Sequence, residues 1–254
     1  MIRGIDHVVL LVAELEGTIR GFQQVGFNVV RGGIHPAWGT ENALIPFADG
    51  FYLELLAPRE PSVAARHRLW LRPDGGSRKP GEYGGFALES DDLQADVRAA
   101  AAHGLEFTPP AVGERRRPDG TEVQWVLSSS VRPDLPFLIE DLTPRSTRVP
   151  APVGPLNGRT RLAAVTVAVP NLAEASQAYA ALLERAAGHV GLDGTTYQTS
   201  RGHIVLLEQE HPPGKYPDPG LVAVRLATAG GSTHALAGAT GGAVLNLVPD
   251  GGDA

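Results

Sequence analysis

A single carboxylate, Glu54, stands in an apolar run, Tyr52-Leu53-Glu54-Leu55-Leu56, whose composition predicts a β-strand. An acid placed there is costly unless something compensates its charge. A divalent cation would do so, and His7 in Asp6-His7-Val8-Val9 and His35 in a glycine-rich loop are its obvious companions. We therefore read His7 and Glu54 as two arms of one metal site. His35 would be a further ligand or a general base, since neutral imidazole serves either role near neutral pH. The chain contains no cysteine. That excludes disulfides, thiolate metal sites and cysteine nucleophiles, so any metal must be held by nitrogen and oxygen. Other residues have blander readings. His67 and His103 are read as surface residues, and Trp38, Trp70 and Trp125 as core, with a pocket wall as the alternative. The run Arg115-Arg116-Arg117 is read as a solvated hairpin tip. Its functional alternative is a clamp for an anionic substrate group, because guanidinium pairs bidentately with carboxylate or phosphate. Neither a phosphate-binding glycine motif nor a nucleophile elbow occurs in the sequence.

Short strands must position these residues, and the chain supplies them in a recurring order. Residues 5–12 predict a strand; Leu15, Ile19, Phe22 and Val25 follow at helical spacing, and Gly26 ends that helix. Strands are predicted at 27–31, 43–47 and 51–57, with Asp49-Gly50 as the hairpin turn between the last two. The same order returns with a strand at 84–89, a helix capped at Ser90-Asp91-Asp92, and strands at 105–108, 122–129 and 135–142. A third pass begins at Leu162, where Asn171 caps a helix over 172–187, with strands at 197–200 and 204–208. A fourth, from residue 221, has a short glycine-rich helix and a last strand at 244–248. Units starting near residues 5, 84, 162 and 221 predict an α+β fold of tandem βαβββ modules. They would form cupped mixed sheets in two module pairs, the last one truncated. Residues 1–143 make the first domain and 160–254 a degenerate pair. Residues 144–159, with four prolines between 144 and 155, read as the linker.

Laying the second unit on the first sets Phe51 to Leu56 over Phe137 to Leu142. Glu54 then meets Glu140, and two carboxylates would face one cavity. His7 falls over Phe86, so the second unit lacks the matching histidine. In the third unit Ala164 and Leu206 stand for His7 and Glu54, so the second half carries neither ligand. Asp6 to Val9, His35 to Leu44, Asp49-Gly50 with Tyr52 to Leu56, Arg117 to Gly120 with Trp125, and Pro136 to Glu140 carry a family resemblance. On these residues the chain resembles the vicinal oxygen chelate superfamily of glyoxalases and extradiol dioxygenases, and more closely its glyoxalase-like domain family. The resemblance implies a U-shaped sheet around a divalent metal ion (iron, manganese, nickel, zinc or magnesium). It further implies His7, Glu54 and Glu140 as ligands; Phe86 stands where many relatives carry a second histidine, so the fourth ligand is open and His35 is the candidate for it. His35 or Glu140 would move the proton in catalysis, and Trp38, Asn42, Arg117 and Trp125 would touch substrate.

Composition bounds the rest. A formal net charge of −6 argues against nucleic acid and anionic membrane as partners. No apolar run approaches the roughly 20 residues that span a bilayer, and the N-terminus reads as a first strand in place of a signal peptide. A cytoplasmic monomer or homodimer acting on a small molecule is expected. The expected function is that of a divalent-metal-dependent enzyme of glyoxalase type, a lyase, isomerase or dioxygenase. Its metal would chelate vicinal oxygens of a small oxygenated substrate and act as a Lewis acid. The alternative is a metal-free binding or resistance protein using the same cavity.

Overall fold

The structure is a computed structural model that describes residues 1–72, 74–191, 194–209, 218–230, 234–236, 240 and 243–250. The first module runs β1 (Ile2–Leu11), α1 (Leu15–Gln24), β2 (Val30–His35), β3 (Thr40–Pro46) and β4 (Tyr52–Pro58), followed by a single-turn helix α2 (Pro61–Ala64). The second runs β5 (Tyr83–Ser90), α3 (Leu93–Ala102), β6 (Ala111–Arg116), β7 (Glu122–Ser128) and β8 (Phe137–Asp141). The two modules join edge to edge as one closed barrel in the order β1-β4-β3-β2-β6-β7-β8-β5. The sheet predicted as a cup therefore closes. One seam is the antiparallel β1–β5 pair; the other is the pairing of Ile34 with Arg116 between β2 and β6. Gly33 makes the second seam possible: at φ +148 its missing Cβ would stand 2.2 Å from the Arg116 carbonyl oxygen.

After α4 (Arg145–Arg148), the chain builds β9 (Thr160–Val169), α5 (Leu172–Leu183), β10 (His189–Gly191), β11 (Gly194–Gln198), β12 (His203–Glu208), β13 (Gly220–Thr228), β14 (His234–Ala235) and β15 (Val244–Pro249). These strands form a second mixed sheet in the order β10-β11-β12-β9-β13-β15-β14. The glycine-rich helix predicted after residue 228 falls largely outside the described residues.

Each long helix starts on a side-chain acceptor. Glu14 accepts from the amides of Glu16 and Gly17, Asp92 from Ala95, and Asn171 from Glu174. Two strand predictions shift. The strand placed at 27–31 lies at 30–35, so His35 belongs to β2 itself. The strand placed at 105–108 reduces to one bridge between Phe107 and Ser130, and the strand forms at 111–116 instead. Pro109 and Pro110 account for that shift, because neither can donate to a ladder and pairing resumes only beyond them.

The barrel wall is apolar on both faces. Outward residues such as Val8, Leu10, Leu53, Leu55, Phe86, Leu88 and Leu138 pack with Ile19 and Phe22 of α1, Leu93 of α3 and Val165, Val167 and Tyr179 of the second half. Ala87, Val123, Trp125 and Ile139 form a separate inward cluster. Alternate residues of one strand thus belong to two different cores, as a side-chain period of two requires.

Candidate functional site

The barrel interior is a cavity lined by His7, Val9, His35, Trp38, Asn42, Tyr52, Glu54, Leu56, His67, Arg68, Leu69, Arg115, Trp125, Leu127, Ser129, Phe137, Ile139 and Arg148. Its centre is the meeting of β1 and β4, which run parallel with Val9 beside Glu54. A register irregularity against β5 lies between Ile5 and His7. Strict alternation relaxes at such a point, and the side chains of Asp6 and His7 bond to each other, Nδ1 to Oδ1, at 2.6 Å. The other imidazole nitrogen, Nε2, lies 3.5 Å from Oε2 of Glu54. Oε1 of Glu54 accepts a hydrogen bond from Asn42 Nδ2 at 2.6 Å. An Asp6–His7–Glu54 line therefore runs through the cavity wall, and all three residues are buried.

Asp6 is held by cations. Arg148 donates from Nη1 to Oδ1 at 2.9 Å and from Nη2 to Oδ2 at 3.0 Å, and Arg145 adds a further ion pair. Burial alone would raise the Asp6 carboxyl. Arg148, the His7 hydrogen bond and Arg145 overcome that and hold it well below the ordinary carboxylate value. Arg148 also donates to the Tyr52 hydroxyl at 2.6 Å and to Asp141. Its guanidinium lies 5.7 Å from the centre of the Tyr52 ring, and that ring stacks on His7 at 4.7 Å. Residues 144–159, read from sequence as a linker, thus deliver two arginines to the floor of the barrel. Asn157 from the same segment bonds to the backbones of Asn28 and Pro46.

The opposite wall is aromatic. His35 lies 5.4 Å from Trp38 and 5.9 Å from Trp125, ring centre to ring centre, and Trp38 lies 4.8 Å from His67. Trp125 packs closely against β6 because position 113 is glycine: a Cβ there would stand 2.4 Å from the indole nitrogen. His35 Nδ1 bonds to the Thr40 hydroxyl at 2.9 Å. Burial pushes the His35 pKa down to about 4; Glu54 opposes the shift, while Arg115 and His67 reinforce it. Burial, reinforced by the charge of Arg68, lowers His67 to about 4 as well. Burial also works against the charge of Glu54. The His7 and His35 rings, the Asn42 amide and Arg115 more than offset it, so the carboxyl falls below its ordinary value.

Of the residues singled out from sequence, His7, His35, Glu54, Trp38, Asn42 and Trp125 meet in this cavity. Glu140 does not. Its Oε2 accepts from the backbone amide of Leu93 at 2.8 Å, at the start of α3 on the outside of the barrel. Register explains the correction. β1 pairs His7 with Tyr52 and Val9 with Glu54, whereas β5 pairs Ala87 with Phe137 and Glu89 with Ile139. Position for position, Ala87 stands for His7 and Ile139 for Glu54. Glu140 therefore lies one residue beyond the position equivalent to Glu54, and a slip of one residue sends a strand side chain to the other face. Phe86, laid over His7, likewise faces the outer core. Arg117 is also outside, donating to the Thr147 carbonyl at 3.1 Å. Arg115, read as part of a solvated tip, is buried in the cavity wall instead. His67, read as a surface residue, lines the cavity too. Asp6 stands within the family motif but carries no signal of a role in the sequence, and nothing in the sequence of 144–159 points to Arg148.

The donor set decides whether the metal implied by the resemblance fits. Among the described residues, no group of three or more histidine, aspartate or glutamate side chains is arranged to hold a metal ion. His7 Nε2 and Glu54 Oε2 are near enough to share a ligand. The second module offers only Ala87 and Ile139 where further donors are needed, and one Glu54 oxygen is engaged by Asn42. Arg115 and Arg148 add positive charge to the same space. These residues do not fit a tightly held divalent cation.

A family model described as glyoxalase-like domain matches residues 5–183, running through the barrel and into α5. No curated protein matches the chain. A solved hypothetical protein from Staphylococcus aureus is similar at 16% identity and a TM-score of 0.75, over 98% of this chain and 100% of that one. A triple mutant of 4-hydroxymandelate synthase from Streptomyces coelicolor is similar at 16% identity and a TM-score of 0.57, over 90% of this chain and 72% of that one. At such identities the likeness shows the fold. No helix among the described residues is long and apolar enough to cross a membrane.

Proposed function

Because the chain belongs to the glyoxalase-like domain family, we propose that its barrel binds a small oxygenated molecule and transfers a proton to or from it. Glu54 acts as the base and His7 as its partner. The observation that carries this is the buried Asp6–His7–Glu54 line. Asp6 stays ionised between Arg145 and Arg148, accepts from one imidazole nitrogen, and so aims the other at Glu54. An orienting carboxylate behind a histidine fixes its tautomer and ring plane, as a proton-transfer site needs. A protein that only enclosed an apolar ligand would have no use for a buried carboxylate in that position.

The chemistry belongs to this chain's own side chains. Glu54, held by Asn42 and depressed below its ordinary pKa, is ionised at neutral pH and ready to accept a proton. The Trp38, Trp125 and Phe137 rings hold the apolar body of the substrate and exclude water. His35, neutral above about pH 4, supplies a further acceptor or donor on that wall without adding charge. Enolisation and isomerisation of this kind require only proton movement, which these side chains supply.

The test is solvent exchange. The protein is incubated in deuterium oxide with a panel of small ketones, aldehydes and 2-oxo acids, and carbon-bound deuterium is read by NMR. Exchange in one or more compounds, lost in Glu54→Gln and in His7→Ala, is the expected outcome. Ligand binding to the wild type with no exchange across the panel would favour the binding-protein alternative instead.

A further inference from the structure

We propose that Arg115 is the cation this cavity uses where the donor set cannot hold a metal. Its Nε–H donates to the carbonyl oxygen of the bound molecule and stabilises the negative charge that forms there. The proposal rests on Glu54 acting as a base, and its test separates the two.

Arg115 is 4% exposed and lines the cavity from β6. One end of its guanidinium is anchored: Nη2 donates to the backbone carbonyl of Arg148. Its Nε, by contrast, is buried with no hydrogen-bond partner. Leaving a buried donor unpaired is costly, and more so for a charged group. Such an orphan in a cavity wall calls for a ligand acceptor.

Charge leads to the same residue. Among the described residues that line the cavity, Glu54 is the one carboxylate, and its near partners are Asn42 and His7. The charge of Arg148 is met by Asp6 and Asp141, and Arg68, the third arginine of the lining, donates to the Ser130 carbonyl. When Glu54 takes a proton it becomes neutral, and Arg115 then faces the cavity with no anion beside it. A substrate with an acidic C–H next to a carbonyl restores the balance. The C–H bond breaks, its proton forms an O–H bond on Glu54, and the electron pair moves through carbon onto the carbonyl oxygen. One negative charge has moved from carboxylate to substrate oxygen, where Arg115 Nε–H meets it. A donor already fixed in place, in surroundings of low dielectric, stabilises such an oxyanion without reorganising. The substrate class that follows is a small carbonyl compound with an enolisable C–H and an apolar or aromatic body.

The test uses 4-nitrophenol, whose anion carries a planar oxygen charge on an aromatic body and absorbs visibly. Its neutral counterpart, 4-nitroanisole, cannot ionise. Binding of both is titrated in the wild type, Glu54→Gln, Arg115→Met and the double variant. Glu54→Gln mimics the protonated base, so it is expected to bind 4-nitrophenolate at least about tenfold more tightly than the wild type. Adding Arg115→Met should remove at least about tenfold of that affinity. Each of the four proteins should still bind 4-nitroanisole, which also shows that it is folded. If Arg115→Met does not fold, Arg115→Lys replaces it. Lysine keeps the charge but has no nitrogen at the Nε position, and it should lose the preference for the anion too. Equal anion binding with and without Arg115, while 4-nitroanisole still binds, overturns the role of Arg115 and leaves the cavity standing. Failure of the wild type to bind 4-nitroanisole overturns the cavity and this inference together.

Discussion

Replacing Arg148 by methionine tests whether the floor of the barrel is held by charge. Arg148 is 2% exposed and bonds to both oxygens of Asp6, both oxygens of Asp141 and the Tyr52 hydroxyl. Methionine fills similar space and makes none of these bonds. Removing one partner of a buried ion pair costs about 3–5 kcal/mol, because the other charge is left behind. Asp6 keeps Arg145, so the lower end, about 3 kcal/mol, is expected. At roughly 2–4 °C per kcal/mol for a chain of this size, the melting temperature should fall by about 6–12 °C. Calorimetry and denaturant titration at pH 7 measure both quantities. The pH dependence adds a check of sign. Asp6 has a folded pKa held well below its ordinary 3.8, so its stabilisation is complete above that value and is lost as pH falls through the folded one. In Arg148→Met, Asp6 is left as a poorly compensated buried charge, and its pKa rises. The gap between variant and wild type should therefore be widest at neutral pH and shrink below about pH 4. A loss under about 1 kcal/mol at pH 7, the value of an exposed pair, would refute the account. So would a gap that widens in acid.

Three other outcomes follow from the same geometry. Glu140→Ala should cost about 0.5–2 kcal/mol by removing the acceptor at the start of α3, and leave the binding of 4-nitroanisole and any exchange activity unchanged. If it abolishes activity as Glu54→Gln does, the placement of Glu140 outside the barrel is wrong. His35 carries a depressed pKa of about 4, so the unfolded chain binds the extra proton between that value and 6.5, and stability must drop as pH falls through this window. From pH 7 to pH 5 the His35 share of that drop is about 2 kcal/mol. Denaturant titrations of His35→Gln should show a correspondingly flatter slope, and an unchanged slope would count against its burial as a neutral ring. Protein purified without chelator should contain well under one divalent metal ion per chain by elemental analysis, whereas stoichiometric metal lost on Glu54→Gln would restore the metal-centred mechanism.

Much of this molecule is legible in its sequence. Hydrophobic periodicity, helix caps at Asp92 and Asn171 and the Asp49-Gly50 turn are local signals. They sufficed for the βαβββ order of the first two units. His7, His35, Glu54, Asn42, Trp38 and Trp125 were found because a polar or aromatic group inside an apolar strand, or within a family motif, is conspicuous. Which way a neighbouring residue faces was a different matter. In β4 every residue from Tyr52 to Ala57 is buried, and in β8 the outward Leu138 is as apolar as the inward Ile139. The strand is covered on one side by helices and the second sheet and on the other by the cavity, so alternation leaves no mark of the face. The two glutamates match in the sequence, and only the pairing of β5 with β8 places one of them outside. Arg148 shows the other limit. It reaches Asp6 across 142 positions of sequence, from a proline-rich segment whose composition reads as linker. Local patterning determined the order of strands and helices and which residues are chemically unusual. Closure of the barrel decided which of them meet, because facing and distant contacts depend on register and packing, and neither is written in the order of neighbouring residues.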